Sequence, residues 1–378
     1  MKVKQVLPIV TVLVLIVTLF GTFPAAAAPK AAAKAPKPKF YDNVAFDVSP
    51  SLSELAARRV TPPLPEEDQG EVREENAPEA IGSDVYFPDT AVQSNIPSAP
   101  TISNTLANFE GLSNQDNFNI FGGRVNPPDP VGDVGPNNYV EMTNLTFAVY
   151  DKSGNRLLGP VDTGTLWDGF VIPDCTDPSG DPVVLYDQFS DRWLLSQFTT
   201  RGLDDPSLPF YNCVAVSTTP DPTGAYYRYA FITQADPEAP TGGSFFPDYP
   251  KYGVWKDSYV MTTRDFGLFT GYGISVYALE KNKMINGQAK ARAVQFFLDS
   301  NVVPLEQIGD GLLPPDVDGK TKPKNDAPAP IIGTQDDGAG YGATSDAINI
   351  WELQVQWNAN AAATATLTGP TPAASGFL

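Results

Sequence analysis

The chain has no histidine in 378 residues, and only two cysteines and four methionines. Without an imidazole, Ser-His-Asp and Cys-His catalysis are excluded, as are histidine-ligated zinc and the commonest general base. Any chemistry must therefore use carboxylates, tyrosine, lysine or a metal held by oxygen. Positive charge is also scarce: 25 Lys and Arg face 44 Asp and Glu, for a formal net charge of −19. Such a field repels nucleic acid and anionic lipid, so neither is an expected partner, while a cation is compatible with it.

Only one long apolar run is present, Val6 to Phe23, with Lys2 and Lys4 before it and Ala26 and Ala28 after it. A positive start, an apolar centre and small residues at the exit are the features of a secretory signal, expected over residues 1–28. An uncleaved membrane anchor is the competing reading. Cleavage leaves no membrane-inserted segment and sets the destination as secreted, extracellular or cell-surface. In that compartment Cys175 and Cys213 are expected to pair, closing a loop for about 4 kcal/mol on the chain-entropy model.

Residues 29–107 read as a flexible arm, first alanine, proline and lysine, then acidic and proline-rich. Within it Ser51 or Ser53 could cap a short helix reaching Arg59, with Leu52, Leu55 and Ala56 on one face. The globular region is expected over residues 108–378.

Across the globular region a single passage recurs four times: an aspartate among prolines, a short strand, a tight turn and further strands rich in Tyr and Trp. The starts are Pro128-Asp129-Pro130, Gly180-Asp181-Pro182, Pro247-Asp248-Tyr249-Pro250 and Pro315-Asp316-Val317. Repeats of this size, each of about four strands, predict an all-β, β-propeller-like fold. Strands such as Val183-Val184-Leu185 and Val214-Ala215-Val216 are apolar on both faces, as blades packed between blades require. Irregular spacing keeps a two-layer β-sandwich as the runner-up. Four units are few for a closed ring, so an incomplete propeller is also expected.

The stretches GDPVVLYDQFSDRWLLSQF (Gly180–Phe198), CVAVSTTPDPTGAYYRYAF (Cys213–Phe231) and FPDYPKYGVWKDSYVMTT (Phe246–Thr263) resemble those of a family of large secreted bacterial proteins. The resemblance runs from Asp129 to Trp357. It implies a β-propeller-like fold in proteins that often carry adhesion or sorting modules, continue beyond where this chain stops, and have no assigned activity. More distantly, Thr219-Pro220-Asp221-Pro222-Thr223-Gly224-Ala225-Tyr226-Tyr227 is similar to the Asp-box turn of sialidase-type propellers, with one extra residue and tyrosine in place of tryptophan. That turn implies fold, not catalysis.

Three candidate chemistries follow. Asp129, Asp181, Asp248 and Asp316 could ring one end of a tunnel and hold Ca²⁺, with Asp133 and Asp187 as helpers; ordinary turn chemistry of aspartate beside proline is the plainer reading. Two among Asp181, Asp248 and Asp129 could instead be the acid and base of a glycoside hydrolase or lyase. Arginines such as Arg192, Arg228 or Arg264 converging on them would favour that enzyme. Exposed rings, Tyr226, Tyr227 and Tyr249 foremost, could stack on a sugar or anchor a protein partner, or merely fill the space between blades. The leading expectation is non-catalytic binding of an extracellular glycan or protein. Two local signals are weak. Asp316-Val317-Asp318-Gly319 begins like a calcium loop but is interrupted by lysines, and Asn144-Leu145-Thr146 is formally a glycosylation sequon.

Overall fold

A computed structural model describes residues 36–62, 105–269, 271–319, 321–336, 341–358 and 362–372. The expected signal segment lies outside them. Among the described residues no helix is long and apolar enough to cross a membrane.

The described residues begin with β1 (Lys39–Asp42), β2 (Ala45–Val48) and the helix α1 (Leu52–Arg58). A capping box starts α1: the Ser51 hydroxyl accepts from the Glu54 amide, and the Glu54 carboxylate accepts from the Ser51 amide. Leu52 and Leu55 are its buried side. A second helix, α2 (Asn114–Phe121), precedes the sheets.

Among the described residues four antiparallel sheets follow in chain order. The first is β3 (Val131–Val134), β4 (Asn138–Thr143), β5 (Thr146–Asp151) and β6 (Arg156–Asp162). The second is β7 (Val183–Asp187), β8 (Arg192–Phe198), β9 (Tyr211–Ser217) and β10 (Tyr226–Ile232). The third is β11 (Phe246–Val254), β12 (Ser258–Phe266), β13 (Tyr272–Glu280) and β14 (Arg292–Asp299). The fourth is β15 (Leu312–Leu313), β16 (Ala329–Gln335), β17 (Ala347–Gln356) and β18 (Thr364–Pro372).

Each sheet packs on the next through its own core. Trp193, Leu195, Cys213 and Ala215 of the second sheet meet Val140, Met142, Phe147 and Val149 of the first. The alternate residues Leu194, Val214 and Val216 point the other way, onto Tyr259, Met261 and Tyr277 of the third. Val260, Ile274 and Val276 of the third then face Ile331, Trp351 and Leu353 of the fourth. Period-two side-chain direction thus buries both faces of the two middle sheets. The architecture is all-β and propeller-like, four layers deep rather than the two of a simple sandwich. The first strands of the first three sheets lie side by side, β3 beside β7 and β7 beside β11.

The segment expected as a flexible arm contributes fixed structure over residues 39–59. β1 pairs with β14 and β2 with β10, so each extends the outer edge of a middle sheet. Such edges otherwise present unpaired N–H and C=O groups. At the end of α1, Arg59 donates to both oxygens of the fully buried Asp162 at 2.8–3.2 Å.

The outer face of the first sheet is covered too. Phe109 packs at 5.5 Å from Tyr150 and 6.1 Å from Tyr139, and the Leu112 amide donates to Glu141 at 2.8 Å. Gly154 lies under Phe109 with φ +86°; a Cβ there would stand 2.5 Å from the ring. Cys175, in the turn before β7, is bonded to Cys213 of β9 with Cα atoms 6.0 Å apart.

Candidate functional site

Asp129, Asp181 and Asp248 sit at the N-terminal ends of β3, β7 and β11, and the shared direction of those strands gathers them at one mouth. Asp129 and Asp181 hold left-handed backbone, φ +38° and +50°, and Tyr249 does too, at +52°. Aspartate tolerates that region better than most residues; tyrosine does not, and a bulge forces it. The β11–β12 register slips between Asp248 and Lys251. Pro247 and Pro250, which cannot donate to a ladder, bracket this irregularity. The bulge turns Tyr249 outward, 48% exposed, whereas Asp248 is buried.

Asn144 organises the floor. Its amide donates to Asp129 at 3.0 Å and to the Pro127 carbonyl at 2.8 Å, and its carbonyl accepts from the Asp181 amide at 2.8 Å. The Tyr249 amide donates to Asp181 at 3.0 Å, linking the second sheet to the third. Burial, followed by the charges of Asp248 and Asp129, pushes the Asp181 carboxyl up to about 7, although Lys251 and the Tyr249 amide pull it down. The Lys251 ammonium lies 4.1 Å from the Tyr249 ring centroid and the Arg264 guanidinium 5.5 Å from it. Burial lowers the Lys251 pKa, with Arg264 adding to that and the three aspartates opposing it. Arg264 also approaches Asp310, at 3.8 Å.

Asp316 is elsewhere. It does not open the fourth unit, which begins at β15; it follows that strand and accepts from the Val254 amide at 2.8 Å, at the C-terminal end of β11. Its pKa is raised by burial, then by Asp318, Asp133 and Asp187, which are its neighbours there. The four anchor aspartates therefore form no single ring. Among the described residues no three acidic side chains group closely enough to hold a metal ion. The expected helpers are occupied differently: Asp133 accepts from the Tyr186 amide at 2.6 Å, and Asp187 is buried between Lys281 (3.3 Å) and the Tyr259 hydroxyl (3.1 Å).

Two of the three tyrosines are also placed away from a binding face. Tyr226 is fully buried under the Asp221 turn, its hydroxyl donating to the Pro222 carbonyl at 2.8 Å. The ring of Tyr227 lies against Gly287 and packs on the core between the second and third sheets. The turn itself closes as its sequence implies, with the Thr223 amide and hydroxyl both donating to Asp221. Of the three arginines named from the sequence, Arg264 is the one that reaches the mouth. Arg228 is buried against Asp47 at 2.6 Å, and Arg192 donates to the Ser190 and Asp191 carbonyls.

Sequence reasoning missed Lys251 and the structural role of Asn144. The second had a signal, read as a sequon. Asn144 is 6% exposed and bonded through both ends of its amide, so its role is internal.

No protein-family model matches the chain, and no curated protein matches it. Among solved structures it is similar to the crystal structure of an exo-β-1,3-galactanase from Clostridium thermocellum, at 11% identity and a TM-score of 0.33 over 62% of this chain. The match spans 56% of that protein's chain. A likeness at this score carries no argument about the present chain.

Proposed function

We propose that this chain is an exported or cell-surface binding protein that takes a hydroxyl-rich ligand, a glycan, at the mouth formed by Asp129, Asp181, Asp248, Tyr249, Lys251 and Arg264. The observation that carries the reading is the outward turn of Tyr249 beside three gathered carboxylates. A flat ring offers a surface for the apolar face of a sugar, and carboxylates accept from its hydroxyls. The disulfide is in keeping with an oxidising compartment. The test is a glycan array probed with the full chain, followed by titration of the best ligand against Tyr249→Ala. A loss of tenfold or more supports the mouth as the site; no bound glycan, or unchanged affinity in the variant, refutes it.

A second reading, a carboxylate-dependent glycoside hydrolase, is favoured by one observation. Asp181, pushed up to about 7 beside Asp248, keeps a proton near neutral pH as a general acid must. Release of reducing sugar from the array ligands, abolished in Asp181→Asn, would establish it over simple binding.

A further inference from the structure

At the opposite end of β11 the third and fourth sheets part around a cavity of about 220 Å³. Trp255, Asp257 and Ser258 of the β11–β12 turn form one wall, Asn325 and Asp326 another, and β17 the floor. We propose that this cavity is a binding site for a single uncharged pyranose, separate from the mouth and independent of what binds there.

The walls are built, not incidental. The Lys256 ammonium donates to the carbonyls of Lys324, Asn325 and Ala327 at 2.9, 2.6 and 2.7 Å, clamping the loop of the fourth sheet to the turn of the third. On the other side of the turn Lys281 donates to the Trp255 carbonyl at 2.7 Å. The Trp357 indole N–H donates to the Ser258 hydroxyl at 2.9 Å, and that hydroxyl donates to Asp257 at 3.1 Å. This chain of bonds fixes the direction of the Asp257 carboxylate.

Size and charge choose the ligand. The volume lies below the roughly 300–1,000 Å³ of pockets that enclose drug-sized molecules, so one ring fits and a chain does not. Asp257 and Asp326 line the space while the Lys256 charge faces three carbonyls, which disfavours an anion. Trp255, Ala329, Leu353 and Val355 supply apolar surface, and the aspartates, Asn325 and Ser258 supply hydrogen-bonding groups. One apolar face and one hydroxyl-bearing edge is the pattern a neutral sugar ring presents.

The test uses the full chain and the methyl β-glycosides of glucose, galactose, mannose and xylose, with glucuronate as the anionic control. Saturation-transfer NMR and tryptophan emission are followed up to millimolar concentration. At least one neutral glycoside should show transfer and shift the emission, and glucuronate should show neither. Trp255→Phe should abolish the emission shift, and the near-isosteric Asp257→Asn should weaken binding tenfold or more. Tyr249→Ala, at the mouth, should leave this binding intact. No transfer from any neutral glycoside, or binding that survives Asp257→Asn and is lost in Tyr249→Ala, overturns the proposal.

Discussion

The Asp181 carboxylate accepts the backbone N–H of Tyr249 at 3.0 Å, and with that bond the second sheet holds the third at their innermost strands. The same device recurs. Asp133 takes the Tyr186 amide at 2.6 Å between the first and second sheets, and Asp316 takes the Val254 amide at 2.8 Å between the fourth and third. An innermost strand has one edge without a ladder partner, and its amides along that edge need an acceptor. Aspartates beside the inner strands supply it. Some of the recurrence seen in the sequence is therefore a joint between sheets, and the mouth site is assembled on one of these joints.

Breaking the joint should be measurable. Asp181→Ala removes the acceptor of the Tyr249 amide, and because Tyr249 is half exposed the expected cost is about 0.5–1.5 kcal/mol. Asp181→Asn retains an acceptor oxygen and should lose less. Urea unfolding of both variants at pH 7 checks the order, and equal losses would deny the bond its role.

Stability should fall as pH rises through the mildly acid range. Burial pushes both Asp181 and Asp265 from an ordinary 3.8 up to about 7. The folded chain thus binds these protons more tightly than the unfolded one. Their contribution is complete below about 4, declines between about 4 and 7, and is flat above. Asp265 accepts from the Thr263 hydroxyl at 2.6 Å and from the Ser275 hydroxyl, with no cation bonded to it among the described residues. Asp265→Asn should therefore raise the urea midpoint at pH 8 and flatten the difference between pH 5 and pH 8. A pH difference identical to that of the parent would remove Asp265 from this account.

The cystine should contribute about 2–4 kcal/mol. Replacing Cys175 and Cys213 together by alanine, or unfolding under reductant, should lower the denaturant midpoint accordingly. No change under reductant, with thiols shown to be free, would contradict it.

Arg59 should matter more than a surface arginine. It is the cationic partner of Asp162, which has no solvent exposure. Arg59→Ala strands that carboxylate, and a loss of about 3–5 kcal/mol is expected from thermal or urea melts. Pairing it with Asp162→Asn should recover some of the loss, whereas additive losses would argue against the pairing.

Asn144→Ala removes three hydrogen bonds beneath the mouth, and should cost both stability and ligand affinity at Tyr249. Titration of the array ligand against this variant distinguishes the two effects: unaltered affinity in a folded variant would mean that Asn144 does not position Asp129 and Asp181.

The sequence by itself determined what is local. Unbroken apolar runs in Val183-Val184-Leu185 and Val214-Ala215-Val216 marked strands buried on both faces, a serine ahead of Leu52, Leu55 and Ala56 marked a helix start, and the two cysteines implied their own bond. These follow from side-chain direction, capping and pairing within short reach. Tertiary structure alone decided the rest. That Lys39 lies opposite Gln295, and that Asp316 goes to the far end while Asp129, Asp181 and Asp248 converge, depends on strands far apart in the chain meeting edge to edge. Likewise Tyr226 and Tyr249 both sit beside turns, yet one ring is buried and the other half exposed. A turn sets the backbone; which neighbour covers the ring is fixed only when the sheets pack.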